Sequence, residues 1–345
     1  MPKLSSSEMA PPPYIPSRDA VSNQAPKNSP RRNRNRRNPT SGYLSDAKTS
    51  SISPHGSPKP RLFPFELINQ NFSNPLAMPI MGIRSENPAI VEYPLLTRTQ
   101  EGTMLLSLTA ELLVEVCVDR SFRVVSNNNF MAYVNTTGDV SSIVHRFATI
   151  VHTIEHVHCK FVAANDRYAV LGPEGVLFSM QNLATAYLVN SSGESTQSLF
   201  PSVVAVEKPE FPIKDIDYSL HQLYAESKMG HKAAIQCGDI VQKAGYEPMK
   251  PDGTIVIHIN GIHIRSNHVT GDVSIDAKPI RMDINTKRST IHLRTTYIDM
   301  AIQDSDKCFV KRADNRIHTS RSGMVVSDGT SNISVDQHGD ILSCS

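Results

Sequence analysis

Histidine and cysteine are the residue types in this sequence whose spacing could bind a metal or carry acid–base chemistry. The chain has thirteen histidines, and their densest group is accompanied by a cysteine and a glutamate. The group consists of His152, Glu155, His156, His158 and Cys159. Zinc needs three or four convergent ligands. On a β-strand, His156 and His158 would point to one face and Cys159 to the other, so we expect the group to split and to form no metal site.

A second histidine pair flanks Asn260-Gly261, which is the strongest short-range signal for a two-residue β-hairpin. Such a hairpin would place His258 opposite His263, where the two imidazoles could bind a metal or respond to pH. Polar faces of sheets also carry such pairs without any function. We therefore expect no metal site here either.

The common enzyme classes leave local motifs, and this sequence lacks the ones we sought. It has no G-x-G-x-x-G, no G-x-x-x-x-G-K-[ST], no H-E-x-x-H and no G-x-S-x-G. We therefore expect a non-enzymatic protein with no catalytic residues and no cofactor. An enzyme remains a weaker alternative if His152, Glu155 and a distant Asp or His meet in one pocket.

Five arginines occur within seven residues near the N-terminus, and no acidic residue lies between Asp19 and Asp46. They are Arg31, Arg32, Arg34, Arg36 and Arg37. The run resembles arginine-rich RNA-binding peptides, in which Arg and Asn alternate, and the resemblance implies contacts to an RNA or DNA backbone. It also fits a nuclear import signal or a simple solvating charge run, and these alternatives remain open. No aromatic residue interrupts the run, so we expect no base stacking by it.

Pro11-Pro12-Pro13-Tyr14 looks like the P-P-x-Y ligands read by WW domains. A proline run is already extended as polyproline II, so an aromatic groove can hold it at little entropic cost. The interpretation assigns Pro11, Pro12 and Tyr14 to binding a WW domain.

Ser29-Pro30-Arg31-Arg32 resembles a proline-directed kinase site, and Ser53 and Ser57 also precede prolines. A phosphate on Ser29 would place negative charge beside the arginines and weaken their contacts with nucleic acid or an import receptor. The sequence therefore predicts a phosphoprotein whose basic arm is regulated.

Composition divides the chain into two parts with opposite charge. The whole has a formal charge of +2, but residues 1–61 carry eleven Lys and Arg against three Asp and Glu, a net +8. Residues 62–345 carry 24 against 30, a net −6. Residues 1–61 are rich in Pro and Ser and poor in apolar residues, which predicts a disordered basic arm.

Hydrophobic periodicity predicts a mainly β body. Residues 62–102 form a Pro-interrupted extended linker, laid across a folded surface or exposed as a string of partner motifs. A first β region spans 103–206 and opens with one long strand over Leu108–Val118, with a single buried face. A helical connector spans 207–250, with Ile216, Leu220, Leu223 and Tyr224 at helical spacing and Gly230 as its stop. A second β region, at 251–345, follows.

We expect an antiparallel meander, sandwich- or barrel-like, in one or two units with a short helical insert. No alignable repeat is apparent in the sequence. The rhythm of turns does not decide whether the two β regions share one core.

Localisation follows from what the sequence lacks. It has no apolar run of 18 residues, residues 1–10 are too polar to be the apolar core of a signal peptide, and its five cysteines include no C-x-x-C. We expect reduced thiols and a location in the nucleus, the cytoplasm or both.

The leading hypothesis is a regulatory or adaptor protein. Its β body would bind protein partners through strand edges and loops, while the arm supplies nuclear import or nucleic-acid contacts. We expect the acidic body itself not to touch nucleic acid. The alternative is an RNA-packaging coat protein, because an arginine-rich arm before a β domain resembles icosahedral RNA-virus capsids.

Overall fold

The computed structural model of this 345-residue chain describes residues 93–344, except 128, 163–164, 191–197, 201–202, 212–217 and 304–305. Within this range the protein is built from two large antiparallel β-sheets and two helices. The predicted mainly β, antiparallel fold class is therefore confirmed.

The first sheet has thirteen strands in the order β1 to β11, then β13 and β12. Each strand pairs with its neighbours in antiparallel fashion. The strands are β1 (Leu95–Arg98), β2 (Thr103–Thr109), β3 (Leu112–Cys117), β4 (Phe122–Ser126), β5 (Phe130–Val134), β6 (Ser141–His145), β7 (Ala148–His152), β8 (Val157–Phe161), β9 (Arg167–Gly172), β10 (Gly175–Met180), β11 (Thr185–Val189), β12 (Ser198–Phe200) and β13 (Val203–Glu207).

The second sheet has twelve strands, all in chain order. They are β14 (Gly245–Glu247), β15 (Thr254–Ile259), β16 (Ile262–Asn267), β17 (Asp272–Ala277), β18 (Ile280–Asn285), β19 (Thr290–Arg294), β20 (Asp299–Gln303), β21 (Lys307–Arg312), β22 (Asn315–Ser320), β23 (Gly323–Ser327), β24 (Asn332–Asp336) and β25 (Ile341–Cys344). Successive hairpins begin 16 to 18 residues apart, at Thr254, Asp272, Thr290, Lys307 and Gly323. This is a structural repeat that the sequence did not make apparent.

The predicted long strand over Leu108–Val118 is wrong. The chain turns at Ala110-Glu111, so the segment is divided between β2 and β3. The pairing of Leu106 with Val114 keeps even-numbered residues on one face through the hairpin. Because the alternation continues across the turn, the sequence looks like one strand. The predicted single buried face is also wrong, since all six residues of β3 are buried.

The two sheets pack face to face and share one hydrophobic core. We call the side of each sheet that faces the other its inner face. The inner faces contribute to one buried cluster, which includes Leu106, Val114 and Phe122 of the first sheet and Ile264 and Ile275 of the second. The two β regions therefore form one sandwich.

Polar side chains near the hairpin ends also connect the sheets, because their amide or hydroxyl groups donate hydrogen bonds to backbone carbonyls of the other sheet. The bonds are Asn260 to Cys117 O (3.0 Å), Thr295 to Gly138 O (2.9 Å), Asn315 to Gly172 O (2.9 Å), Asn165 to Gln337 O (3.2 Å) and Asn182 to His338 O (3.3 Å). The first hairpins of the second sheet thus lie beside the first strands of the first sheet. The last hairpin of the second sheet lies beside strands near the end of the first sheet.

Two helices lie on the connection that returns from the end of the first sheet to the start of the second. Phe211 stacks on Tyr168 of β9, with the ring centroids 5.3 Å apart. Helix α1 (Tyr218–Glu226) packs on the outer face of β4 to β6, and helix α2 (His231–Lys243) packs beside β1, β2 and β15. Cys237 of α2 belongs to the main core. Because the chain crosses back to the side of β1 before the second sheet begins, the strand order of both sheets advances in the same direction.

Several elements differ from those predicted. β1 lies within the predicted linker 62–102, and β14 within the predicted connector 207–250. The connector contains two helices, separated by a short segment that ends at Gly230, while Ile216 lies outside the described residues. Neither helix of the described part has the length and apolarity needed to cross a lipid bilayer.

Candidate functional site

The turn between β7 and β8 presents an apolar side chain to solvent. Thr153 holds the turn, because its backbone N–H donates to His156 O at 2.8 Å and its hydroxyl oxygen accepts from the His156 N–H at 3.3 Å. Arg312 of the second sheet donates to the carbonyl of Ile154 at 2.9 Å. Ile154 is nevertheless 70% exposed. An aliphatic side chain is thus displayed on a turn fixed from both sheets.

Helix α1 is positioned beside this turn by buried contacts. Its Leu223 packs with Cys117, Tyr133 and Val140 on the outer face of the first sheet. The amphipathic spacing of Leu220 and Leu223 accounts for the helix lying flat on this face.

A buried ion pair lies beneath the start of the helix. Arg123 contacts Glu115 at 2.5 Å and donates from Nε to the Ser219 hydroxyl at 2.9 Å. Both charged side chains are buried, so their mutual contact and the serine offset the cost of removing them from water. The pair fixes the start of α1 relative to the sheet.

The turn and the helix enclose an open groove of about 440 Å³, which we call the α1 groove. Its apolar lining includes Ile154, Tyr218 and Ala225, and the acidic residues Glu155 and Glu226 also line it. The volume lies in the range of ordinary ligand sites, about 300–1,000 Å³. This combination of apolar and acidic lining favours a ligand that presents an apolar side chain next to a positive charge.

His156 forms one wall of the α1 groove. Its imidazole nitrogens lie 4.0 Å from a Glu155 oxygen and 3.8 Å from a Glu174 oxygen. A Cβ at Gly172 would approach the His156 ring to 2.8 Å, so glycine leaves the space that the ring occupies. The imidazole is thus held between carboxylates at the edge of the groove.

The histidine group around residue 152 is divided by the sheet, as expected from strand geometry. Cys159 is buried on the inner face, whereas His158 is half-buried on the outer face. His152 is also buried on the inner face, with Nδ1 3.3 Å from the Ser141 hydroxyl. Burial, followed by the positive charge of Arg312, lowers the pKa of His152 to about 4. Glu155 lines the α1 groove, whereas His152 is buried and is not among the residues that line it.

The predicted Asn260-Gly261 hairpin is confirmed. Asn260 and Gly261 have φ angles of 51° and 73°, and His258 lies opposite His263 with the ring centroids 4.8 Å apart. Glu247 of β14 lies 3.7 Å from the His258 ring nitrogen. Among the described residues, no group of three or more His, Cys, Asp or Glu is arranged to hold a metal ion.

The predicted sites of the arm lie outside the described residues. They are the arginines Arg31, Arg32, Arg34, Arg36 and Arg37, the WW ligand Pro11, Pro12 and Tyr14, and the phosphorylation sites Ser29, Ser53 and Ser57. The thiols all lie in the body. All five are free, and Cys117, Cys159, Cys237 and Cys308 are buried.

Sequence reasoning missed the α1 groove. Ile154 is a lone apolar residue within a polar turn, which was the available signal, and such residues also occur singly on ordinary surfaces. Tyr218 and His221 come from a distant helix. Their approach to Ile154 depends on the return crossing, which no local pattern encodes.

Solved structures similar to this chain include two of the TCP10 domain of CPAP from Danio rerio. One, of the wild-type domain in complex with a peptide of Danio rerio STIL, has a TM-score of 0.23 and 8% identity, covering 67% of this chain and 97% of that chain. The other, of a point mutant of the domain, has a TM-score of 0.20 and 9% identity, covering 72% and 98%. Similarity at this level transfers no partner to this chain. No protein with a curated description has a sequence that matches it.

A sequence family does match the body. Its profile is described as "Domain of unknown function (DUF8796)" and extends over residues 94–345, which begin beside β1 and contain both sheets and both helices. The match covers well over half of the chain, and the chain therefore belongs to the DUF8796 family.

Proposed function

We propose that this protein is a non-enzymatic adaptor whose β sandwich binds a segment of a protein partner in the α1 groove. The observation that carries the proposal is the exposed Ile154, which lies on a fixed turn and lines the α1 groove together with Glu155 and Glu226. The partner segment would present an apolar side chain next to Lys or Arg. The net charge of −6 on residues 62–345 favours the same basic class of partner.

The energetics of the groove suit a peptide of moderate affinity. Covering an aliphatic side chain such as Ile154 contributes roughly 1–2 kcal/mol. Glu155 and Glu226 remain solvated at the rim, where each contact with a basic residue adds less than about 1 kcal/mol. Because the groove is already formed by α1 and the turn, little entropy is lost in shaping it.

The basic arm supplies the second half of the proposed function. Arg31, Arg32, Arg34, Arg36 and Arg37 would bind an import receptor or a nucleic-acid backbone, with the protein in the nucleus, the cytoplasm or both. Pro11, Pro12 and Tyr14 would recruit a WW domain, and phosphates on Ser29, Ser53 or Ser57 would weaken the contacts of the arginines.

Peptide selection tests the groove directly. A phage library of random twelve-residue peptides is panned against the full chain, and the affinity of a selected, labelled peptide is measured by fluorescence anisotropy. We expect selected peptides to share an apolar residue beside Lys or Arg. Ile154→Asp should weaken binding at least tenfold, since it replaces the apolar contact with a charge in the groove.

A matched control is Val269→Asp, because Val269 is also an exposed aliphatic residue on a turn, 57% exposed, in the second sheet. It should leave the affinity unchanged. Glu226→Lys should weaken the basic peptides. Peptides that bind the Ile154→Asp protein with the wild-type Kd would contradict the proposed site.

The coat-protein alternative makes a different prediction. A packaging protein with this arm would assemble into particles in the presence of RNA. Negative-stain electron microscopy of the full chain mixed with RNA separates the two functions, since the adaptor proposal predicts no particles.

A further inference from the structure

The outer face of the second sheet combines aromatic and basic side chains across β19 to β23. Antiparallel register places Ala301, Phe309, His318 and Val325 side by side in one row across β20 to β23. Phe309 is half-buried, whereas His318 and Val325 are exposed. The row therefore places the Phe309 ring beside the exposed side chains of His318 and Val325 on this face.

Phe309 and His318 form a ring pair within this row. Their centroids are 4.7 Å apart and their planes are inclined by 38°. Partial burial, followed by the charge of neighbouring Arg316, lowers the pKa of His318. The lowered pKa favours the neutral form of the imidazole, which can stack on a base as an aromatic ring.

Basic side chains border the aromatic pair on both sides. Lys311 and Arg316 are opposite one another in the adjacent row, and Lys307 lies on the same outer face at the other side of Phe309. The acidic member of the adjacent row is Asp299. Its two oxygens are already engaged, by His292 at 2.6 Å and by Arg294 at 3.3 Å. Positive charge thus predominates in this row.

We propose that this strip, defined by Lys307, Phe309, Lys311, Arg316 and His318, binds single-stranded nucleic acid. Bases would stack on the Phe309–His318 pair, and backbone phosphates would contact Lys311 and Arg316. Stacking on aromatic rings at a sheet surface, combined with nearby basic side chains, is how such surfaces hold single strands without reading a duplex. Aromatic rings and basic side chains both occur here, on two neighbouring strands.

The site is distinct from the α1 groove and differs from the expectation that the acidic body avoids nucleic acid. A net charge of −6 is a sum over residues 62–345 and does not describe the local surface. The pattern is visible in the sequence as alternation: Lys307, Phe309 and Lys311 are two apart, and Arg316 and His318 continue it on the next strand. It becomes a site only when register brings the two strands together.

The test uses the full chain with all five arginines at positions 31, 32, 34, 36 and 37 replaced by Gln, so that the arm does not mask the body. Binding of a fluorescein-labelled twelve-nucleotide oligouridine is measured by anisotropy at several salt concentrations. Phe309→Ala should weaken binding about 5- to 100-fold, in line with the effect of removing one stacking ring.

Cation variants provide a second, independent readout. Combined Lys311→Gln and Arg316→Gln should reduce the slope of log K against log salt concentration by about 1.4, because each lost phosphate contact removes roughly 0.7 for a single strand. Arg265→Gln is the matched control, since Arg265 is an exposed arginine on the same sheet but in β16. It should leave the slope unchanged. Ile154→Asp should also have no effect on oligouridine binding, so the proposals for this site and for the α1 groove are tested independently.

Several outcomes would overturn the proposal. One is no oligouridine binding by the arm-neutralised chain. Another is binding that persists unchanged in Phe309→Ala, or in the exposed His318→Ala if circular dichroism shows that the first variant is unfolded. Displacement of oligouridine by an equal concentration of a twelve-residue oligoglutamate peptide would instead identify an acidic protein segment as the ligand.

Discussion

At the scale of single residues, Arg167 is a buried cation that connects the two sheets. It lies on the inner face of β9 and is only 2% exposed. Its guanidinium donates to the Thr319 hydroxyl at 2.7 Å and to backbone carbonyls of Ser320, Arg321 and Gly323 in the β22–β23 hairpin. Because these carbonyl oxygens are partly buried, the guanidinium satisfies acceptors that would otherwise lose their hydrogen bonds to water.

Replacing this cation should destabilise the protein strongly. Arg167→Ala leaves these acceptors without a donor and creates a cavity, so we expect the free energy of unfolding to fall by roughly 3 kcal/mol or more. Urea unfolding followed by circular dichroism measures the change. Arg321→Ala is the matched control, because its side chain is 81% exposed on the same hairpin, and it should cost less than about 0.5 kcal/mol. Equal effects of the two substitutions would show that the inner-face bonds contribute little.

Two buried histidines predict that stability depends on pH. Burial lowers the pKa of both His145 and His152 to about 4, from 6.5 in the unfolded chain. The folded protein therefore binds fewer protons, and stability that is complete above pH 6.5 is lost as the pH falls towards 4. Each group contributes up to roughly 3 kcal/mol across this window.

Urea titrations at pH 7 and pH 4.5 measure this dependence. The His152→Gln protein should lose roughly 2 kcal/mol less than the wild type between the two pH values, because one protonation step is removed. The exposed His258→Gln protein is the control and should lose as much as the wild type. A wild-type protein that is equally stable at both pH values would exclude this account of the buried imidazoles.

At the scale of elements, the Asn260-Gly261 turn both closes a hairpin and bridges the sheets. Asn260 adopts a left-handed conformation, with φ of 51°. Its side-chain amide donates to the carbonyls of Cys117 and Val118 at 3.0 and 3.1 Å. Asparagine tolerates this backbone conformation better than most residues, so one side chain serves both functions.

Two substitutions at this position separate the turn from the bridge. Asn260→Gly keeps the turn conformation and loses the bridging bonds, so we expect a loss of roughly 1–2 kcal/mol in the free energy of unfolding. Asn260→Ala also introduces left-handed strain and should cost about 1 kcal/mol more. Thermal and urea unfolding would give the two values, and identical values would mean that the turn carries no strain.

Sequence reasoning succeeded where structure is set by neighbouring residues. The Asn260-Gly261 hairpin and the division of the His152–Cys159 group follow from turn chemistry and strand periodicity, which are local. The Ala110-Glu111 turn was missed because neither residue is a turn former and the alternation runs through it. β1 follows Pro94 in a segment rich in proline, so its four residues gave no strand signal.

Features built from distant segments could not be predicted in the same way. The α1 groove joins a turn of the first sheet to a helix on the return connection, and the basic aromatic strip requires the register between β21 and β22. The residue types at both places also occur on surfaces without any function. Which residues become neighbours there depends on how distant elements pair, and that pairing depends on the whole hydrophobic core.

At the scale of the whole molecule, one core implies one unfolding transition for both sheets. Inner-face residues of each sheet are buried mainly by the other sheet. If the sheets separated, the inner face of each would therefore be exposed to water. Cys159 of β8 and Cys308 of β21 report on this interface, because both are buried and the Cys308 thiol is near enough to raise the pKa of Cys159 further than burial alone. Burial likewise raises the pKa of Cys308 to about 12. Both thiols are therefore unreactive in the folded state.

Pulsed thiol labelling across a urea series measures how far the sheets unfold together. Iodoacetamide is added briefly at each urea concentration, and mass spectrometry determines the labelled fraction of each cysteine. We expect Cys159 and Cys308 to become reactive at the same urea midpoint, because exposing either one requires separation of the two sheets. The half-buried Cys344 on the edge strand β25 is the internal control and should react at lower urea concentrations. If Cys308 reacts at a distinctly lower midpoint than Cys159, the second sheet opens independently, and the two sheets do not form one cooperative unit.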